Sequence, residues 1–264
     1  MRTDIFETHA HYDDKAFDQD RDSLLASMEE NGIGTMVNVC ASIGEFGRTI
    51  SLTEKYPFIY GAVGVHPDDA DQMTEETLEE IRRISHMEKF IAIGEIGLDY
   101  YWHKEAHEHE IQKKMFRAQM DIAGEEKLPF MIHSREAAKD TLDIVKEYMK
   151  KGMYGGVIHC FSYGKEMAAE YLDMGLYLGI GGVVTFKNAR KLKEVVEYAP
   201  LEQLVLETDS PYLSPEPNRG KRNSSLNLPY VAQAIAELKG ISPEEVICTT
   251  RKNAEQLLFP EKIK

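Results

Sequence analysis

The feature that most constrains this chain is a rhythm. Short apolar runs rich in β-branched residues alternate with longer stretches of helical periodicity from one end of the sequence to the other. Eight such runs lie at about residues 5–9, 36–39, 59–63, 90–95, 130–133, 156–159, 176–180 and 204–208. Strands joined by helices run parallel, and eight of them close a barrel. The expectation is an α/β fold, a (β/α)8 barrel forming a single domain over residues 1–264, a length near that of such barrels.

Local punctuation agrees with βα repeats. Helical patterns over 21–31, 136–151 and 165–174 stop at Gly32, Gly152 and Gly175, the residue type that accepts the left-handed conformation closing a helix. Ser242-Pro243-Glu244-Glu245 combines an N-cap serine, a first-turn proline and a glutamate placed for a capping box, so a last helix should run to about Leu258. Between 208 and 228, Pro211, Pro215 and Pro217 exclude helix, and Pro229 follows directly. In a barrel this stretch is the loop after strand eight, on the face where barrel enzymes carry their active sites.

The net charge of −14, from 31 Lys and Arg against 45 Asp and Glu, offers no global positive field for collecting polyanions, so any nucleic-acid contact should be local. Three dispersed cysteines, Cys40, Cys160 and Cys248, without a C-x-x-C pair, suit a reducing compartment, and a cytoplasmic location is expected. The longest nearly apolar run, residues 175–186, is too short and glycine-rich to span a membrane; no targeting segment and no obligate protein partner are evident.

The sharpest chemical signal is Thr8-His9-Ala10-His11. Residues two apart on a strand share a face, so both imidazoles can enter one lumen. Alone the pair is equally an ordinary strand end. Recurrence decides, because other strand ends supply Glu95, His133, His159, Glu207 and Asp209. Imidazole and carboxylate suit Zn, Mn and similar ions, and His9, His11, Glu95, His133, His159 and Asp209 exceed one tetrahedral shell, which points to two divalent cations. Glu95, on the fourth strand, is the candidate bridge between them, and Asp209 the group that orients or deprotonates an attacking water. Glu207 either supports a ligand from behind or is salt-bridged at the surface.

These segments resemble the TatD family of metal-dependent deoxyribonucleases within the amidohydrolase superfamily. The likeness is carried by Phe6-Glu7-Thr8-His9-Ala10-His11, Gly64-Val65-His66-Pro67, Gly94-Glu95-Ile96-Gly97-Leu98-Asp99-Tyr100, residues 128–136, residues 158–162 and residues 206–213, in order along nearly the whole chain. The resemblance implies a TIM-like barrel with the same six ligands, and Mg, Mn or Zn as the metal. It also implies 3′-exonuclease action on single-stranded DNA, through a hydroxide activated by two metals. Two departures stand out: Glu7 where the family often has Asp, and Tyr163 where it often has Gly, the latter able to narrow the mouth or stack on a base.

For the substrate, His66 either donates to a phosphate oxygen or caps a helix, and Arg219, Lys221 and Arg222 either grip a phosphodiester or form a solvated loop. Tyr100, Tyr101, Trp102, Phe161 and Tyr163 follow ligand-bearing strands and offer either stacking surfaces or core. His103, His107 and His109 read as solvated histidines on a helix approach. Two rival functions remain: a hydrolase of a small amide, lactone or aminoacyl ester, and a non-catalytic scaffold that holds metal for stability.

Overall fold

The computed structural model describes residues 4–259. Strands β1 (Ile5–Ala10), β2 (Ile33–Val39), β3 (Ile59–Val63), β4 (Phe90–Asp99), β5 (Phe130–Arg135), β6 (Gly156–Ile158), β7 (Tyr177–Ile180) and β8 (Leu204–Leu206) pair in chain order, every pair parallel. Helices α1 (Arg21–Ala26), α2 (Phe46–Lys55), α3 (Glu75–Ser85), α4 (Ala106–Glu126), α5 (Ala138–Lys150), α6 (Lys165–Asp173) and α7 (Arg190–Tyr198) return the chain between strands; α8 (Leu228–Lys239) and α9 (Pro243–Leu258) follow β8. This is the expected TIM-like barrel. Strands sandwiched between lumen and helices are buried on both faces, as β4 is along its whole length.

The elements differ from the sequence expectation mainly at their ends. The pattern over 21–31 is broken into α1 and a separate 3-10 turn at Glu29–Asn31, with Gly32 left-handed at φ 82° as its terminator. Gly152 and Gly175 also adopt positive φ, and Ser242 caps α9 by accepting from the Glu245 amide. Pro229 sits in the first turn of α8, where no amide is missed.

The lower lumen is filled by Val37, Val39, Ala62, Ala92, Met131, Val157 and Val205, and Ala254, Leu257 and Leu258 of α9 plug its base against Phe6. One pleat period further along, Met131, Val157 and Val205 give way to His133, His159 and Glu207, so the same alternation that packs the barrel aims polar groups into its upper end. β4 needs a correction of phase, because strict alternation from Ala92 would turn Glu95 outward. A bulge supplies it: Ile93 pairs with Phe130 but Ile96 with Ile132, three residues against two, and Glu95 swings into the lumen. β1 carries a similar register shift between Glu7 and Ala10.

The seam between β8 and β1 is closed differently from the other seven. A single bridge joins Ala10 to Ser210, and the Glu7 carboxyl does much of the remaining work. It accepts from the amides of Thr208 at 2.9 Å and His9 at 3.1 Å, and from the hydroxyls of Thr208 at 2.7 Å and Ser225 at 2.8 Å. Burial pushes Glu7 up to about 8, against these donors, which favour its charge. Glu7 therefore ties together the strand ends bearing His9 and Asp209. Cys40, Cys160 and Cys248 are free thiols, and among the described residues no helix is long and apolar enough to cross a membrane.

Candidate metal centre

Four strands, β1, β4, β5 and β6, and the loop after β8 converge at the top of the barrel. His9 Nε2 lies 3.2 Å from both His11 Nε2 and Glu95 Oε2, and His11 Nε2 lies 3.3 Å from Asp209 Oδ1. On the other side, His133 Nδ1 is 2.9 Å and His159 Nε2 3.7 Å from Glu95 Oε1. The two oxygens of Glu95 thus face separate pairs of imidazoles, the arrangement of a carboxylate that bridges two cations. All six residues selected from the sequence are brought together here.

The tautomers fit ligation. His11 Nδ1 faces the Val39 carbonyl at 2.7 Å and so carries the proton, leaving the Nε2 lone pair directed at two carboxylates and another imidazole. His159 Nδ1 sits 3.1 Å from Glu207 Oε1, and His133 Nε2 3.0 Å from Asp99 Oδ2, so each ring has a carboxylate behind it and its other nitrogen facing Glu95. With the rings neutral, lone pairs and carboxylate oxygens converge with too few protons between them, which is the donor set a divalent cation resolves. Four overlapping groups place their ligand atoms within 4.8 Å of one another among the described residues: His9 with His11 and Asp209, His9 with His159 and Glu207, His66 with Glu95 and His133, and His159 with Cys160 and Asp209.

Electrostatics report the same strain. Burial disfavours charge on His11, but Asp209 and Glu95 outweigh it and raise the ring to about 10. Burial is likewise overcome at His133 by Asp99 and Glu95, and at His159 by Glu207 and Glu95, both reaching about 9. His9 is lowered to about 4 by burial and by His159, whose ring stacks on it at 3.5 Å. Burial opposes ionisation of Glu95, yet the surrounding histidines hold it well below the usual carboxylate range.

Glu207 is placed behind His159. Its Oε1 also accepts from the Cys160 amide at 2.6 Å, and Gly179 makes room for it, since a Cβ there would stand 2.1 Å from Oε2. Asp99, not singled out from the sequence, orients His133. The signal was present: on β4, Glu95, Gly97 and Asp99 share one face beyond the bulge. Gly97, at φ 147°, lets the two strands approach, because a Cβ there would meet the His133 carbonyl at 1.9 Å.

Above the ligands opens a cavity of about 680 Å³. His66 lines it and takes the capping alternative: its Nδ1 accepts from the Asp68 amide at 3.2 Å, capping a 3-10 turn, which leaves Nε2 as an N–H donor 3.9 Å from Glu95. Arg219 and Arg222 do not reach it. Arg222 makes a forked pair with Asp20 and Arg219 lies 4.2 Å over the Phe186 ring, both outside the cavity lining with Lys221.

The aromatics separate cleanly. Phe161 is core, Tyr163 turns its hydroxyl to Ser134 at 2.8 Å instead of the mouth, and Tyr100 stacks on His109 at 3.6 Å. Trp102 alone of the five lines the cavity. His103 is held between Asp68 and Glu108, and His107 is exposed on α4.

The sequence profile of TatD-related DNases matches residues 6–259. The uncharacterized metal-dependent hydrolase YabD of Bacillus subtilis strain 168 is 44% identical over 253 residues, spanning 96% of this chain and 98% of that protein. The 3′-5′ ssDNA/RNA exonuclease TatD of Citrobacter rodentium is 31% identical over 259 residues, spanning 96% of this chain and 97% of its own length. The crystal structure of YjjV, a TatD homolog from Escherichia coli K12, superposes with a TM-score of 0.90 at 27% identity, covering 98% of this chain and 99% of its own.

Proposed function

From the premise that this chain belongs to the family of TatD-related DNases, and so is a metal-dependent hydrolase, we propose that it is a deoxyribonuclease that removes nucleotides from the 3′ end of single-stranded DNA. The observation that carries the proposal is the division of Glu95 between two imidazole pairs at the floor of a cavity open to one side. Its volume suits a strand terminus better than a duplex, and the name of the Citrobacter relative is consistent with that choice.

His9, His11 and Asp209 would hold one divalent cation and His133 and His159 the other, with Glu95 between them. Mg, Mn or Zn held there supplies Lewis acidity and lowers the pKa of a nearby water. The protein contributes the rest. Asp209, the most open of the ligand carboxylates at 18% side-chain exposure, accepts the proton of the attacking water. His66 donates Nε2–H to a phosphate oxygen, its tautomer fixed by the Asp68 amide. Glu207 and Asp99 keep His159 and His133 turned inward. Arg219 and Arg222 have no part in this scheme.

The cavity lining includes Asp14, Glu45, Asp68 and Asp99 besides the ligand carboxylates. Such a site repels a phosphodiester until cations are bound, so activity should depend absolutely on added metal. The test is a 5′-labelled single-stranded oligonucleotide with metal-depleted protein and Mg, Mn or Zn restored in turn. A ladder shortening from the 3′ end is expected. An intact strand with all three ions, beside turnover of a small ester, lactone or amide, overturns the proposal.

A further inference from the structure

Outside the ligand cluster, the cavity wall carries one feature that hydrolysis itself does not use. Trp102 lines the cavity with 65% of its surface exposed, an unusual position for the largest apolar side chain. It is built, not frayed: the Asp99 carboxylate that orients His133 also accepts from the Tyr101 and Trp102 amides, at 2.9 and 3.0 Å. The indole is thereby fixed to the same residue that sets a metal-ligand histidine. Arg135, which stands opposite Asp99 in the β4–β5 ladder, places its guanidinium 4.0 Å from the Tyr101 ring and 5.5 Å from the Trp102 ring.

Arg135 is also the one lysine or arginine lining the cavity, and no carboxylate pairs with it among the described residues. His133 and Arg135 lie two apart on β5, so they share its lumen face. An aromatic plane beside an unpaired guanidinium, one pleat from a metal ligand, in a wall otherwise acidic, matches a flat base attached to a phosphate. It does not match an apolar chain, which would leave Arg135 uncompensated, or a cation, which Arg135 would repel.

We propose that Trp102 and Arg135 form a subsite for the unpaired nucleobase flanking the scissile linkage, with Trp102 stacking on the base and Arg135 meeting the adjoining phosphate. This rests on the phosphodiesterase reading and gives it a reason for choosing single strands. A base held in a duplex is stacked on its neighbours and cannot present its face to the indole; only an unpaired terminus can.

Trp102 is the only tryptophan in the chain, so its emission reports on the subsite directly. Metal-loaded protein is titrated with a slowly cut phosphorothioate single strand, with the same strand lacking its two 3′-terminal bases, and with a blunt duplex. A label on the 5′ end follows binding by anisotropy. The intact single strand should quench the emission and the other two should not. In kinetics, Trp102→Ala should lose about 10- to 100-fold in kcat/KM on the intact strand, the range one base stack supplies. It should lose little more on the strand without those bases, and Trp102→Phe should recover most of the activity. Binding without a change in emission, or equal wild-type turnover of intact and base-free strands, overturns the subsite and leaves the nuclease standing. Neither binding nor cleavage of any strand removes both.

Discussion

Loading the centre with two cations should expel protons, because carboxylates around the histidines favour their charged form. In the metal-free protein the carboxylates hold His11 at about 10 and His133 and His159 at about 9, whereas His9, at about 4, is already neutral. Glu95 and Asp209 are ionised, both held below the usual carboxylate range. At about pH 7.5 each of the three raised rings is ~97% protonated or more, and a ring must be neutral to ligate, so filling both positions releases roughly three protons. About one should leave with the ion at His9, His11 and Asp209, and about two with the ion at His133 and His159. Titration calorimetry in two buffers of different ionisation enthalpy counts them. Overall affinity should climb with pH by about three decades per unit below pH 9, by about one between 9 and 10, and flatten above that. The sign for stability follows. These rings titrate near 6.5 when unfolded, so their contribution to the metal-free fold is complete below that value and lost as pH rises through 9 to 10. Metal-free protein should therefore melt progressively lower above neutrality. Release of less than one proton, or an affinity indifferent to pH, would refute the assignment of these rings as ligands.

Three substitutions separate the parts of the site. Asp209 holds a left-handed backbone at φ 58°, which asparagine tolerates, so Asp209→Asn should keep its fold by circular dichroism while kcat drops about 10²- to 10⁴-fold; near-normal turnover would remove Asp209 as the base. Glu7→Ala strips acceptors from the buried Thr208 and His9 amides, at a cost of about 2–5 kcal/mol, or very roughly 5–20 °C in melting temperature for a chain of this size, with weaker metal retention by elemental analysis. Unaltered melting and metal content would show that the barrel seam does not need it. Arg222→Ala breaks a part-exposed pair with Asp20, a bond to the Ala16 carbonyl and a stack over the Phe17 ring, so stability should fall by about 1–3 kcal/mol while strand cleavage should keep its rate. A large rate loss there would return the loop to the substrate.

The acidic wall and the single guanidinium bear on how a chain of charge −14 approaches a nucleic acid at all. With a net negative charge and Arg135 the one lysine or arginine lining the cavity, the proposed contacts are the cations, His66, Arg135 and Trp102, so cleavage should be sensitive to the terminal few nucleotides and indifferent to the strand beyond.

The sequence by itself determined the barrel and the six converging side chains, because both follow from short periods that the backbone enforces. Alternation of strand and helix dictates parallel pairing, and a pleat of two residues dictates that His9 with His11, and Met131 with His133, share a side. Element lengths were less legible: α1 ends at Ala26 and its pattern continues only as a 3-10 turn. What only tertiary structure decided was everything without a period. Arg222 is claimed by Asp20, roughly two hundred residues earlier, and Tyr163 by Ser134, neither visible as a neighbour in the chain. Glu95 reaches the lumen through a bulge whose extra residue exists only relative to β5. Arg135 was legible in position, two residues after His133, yet its freedom to meet a substrate depended on no carboxylate folding onto it. A pleat repeats along the chain and can be read from it, whereas a loop side chain takes its direction from partners that folding alone brings near.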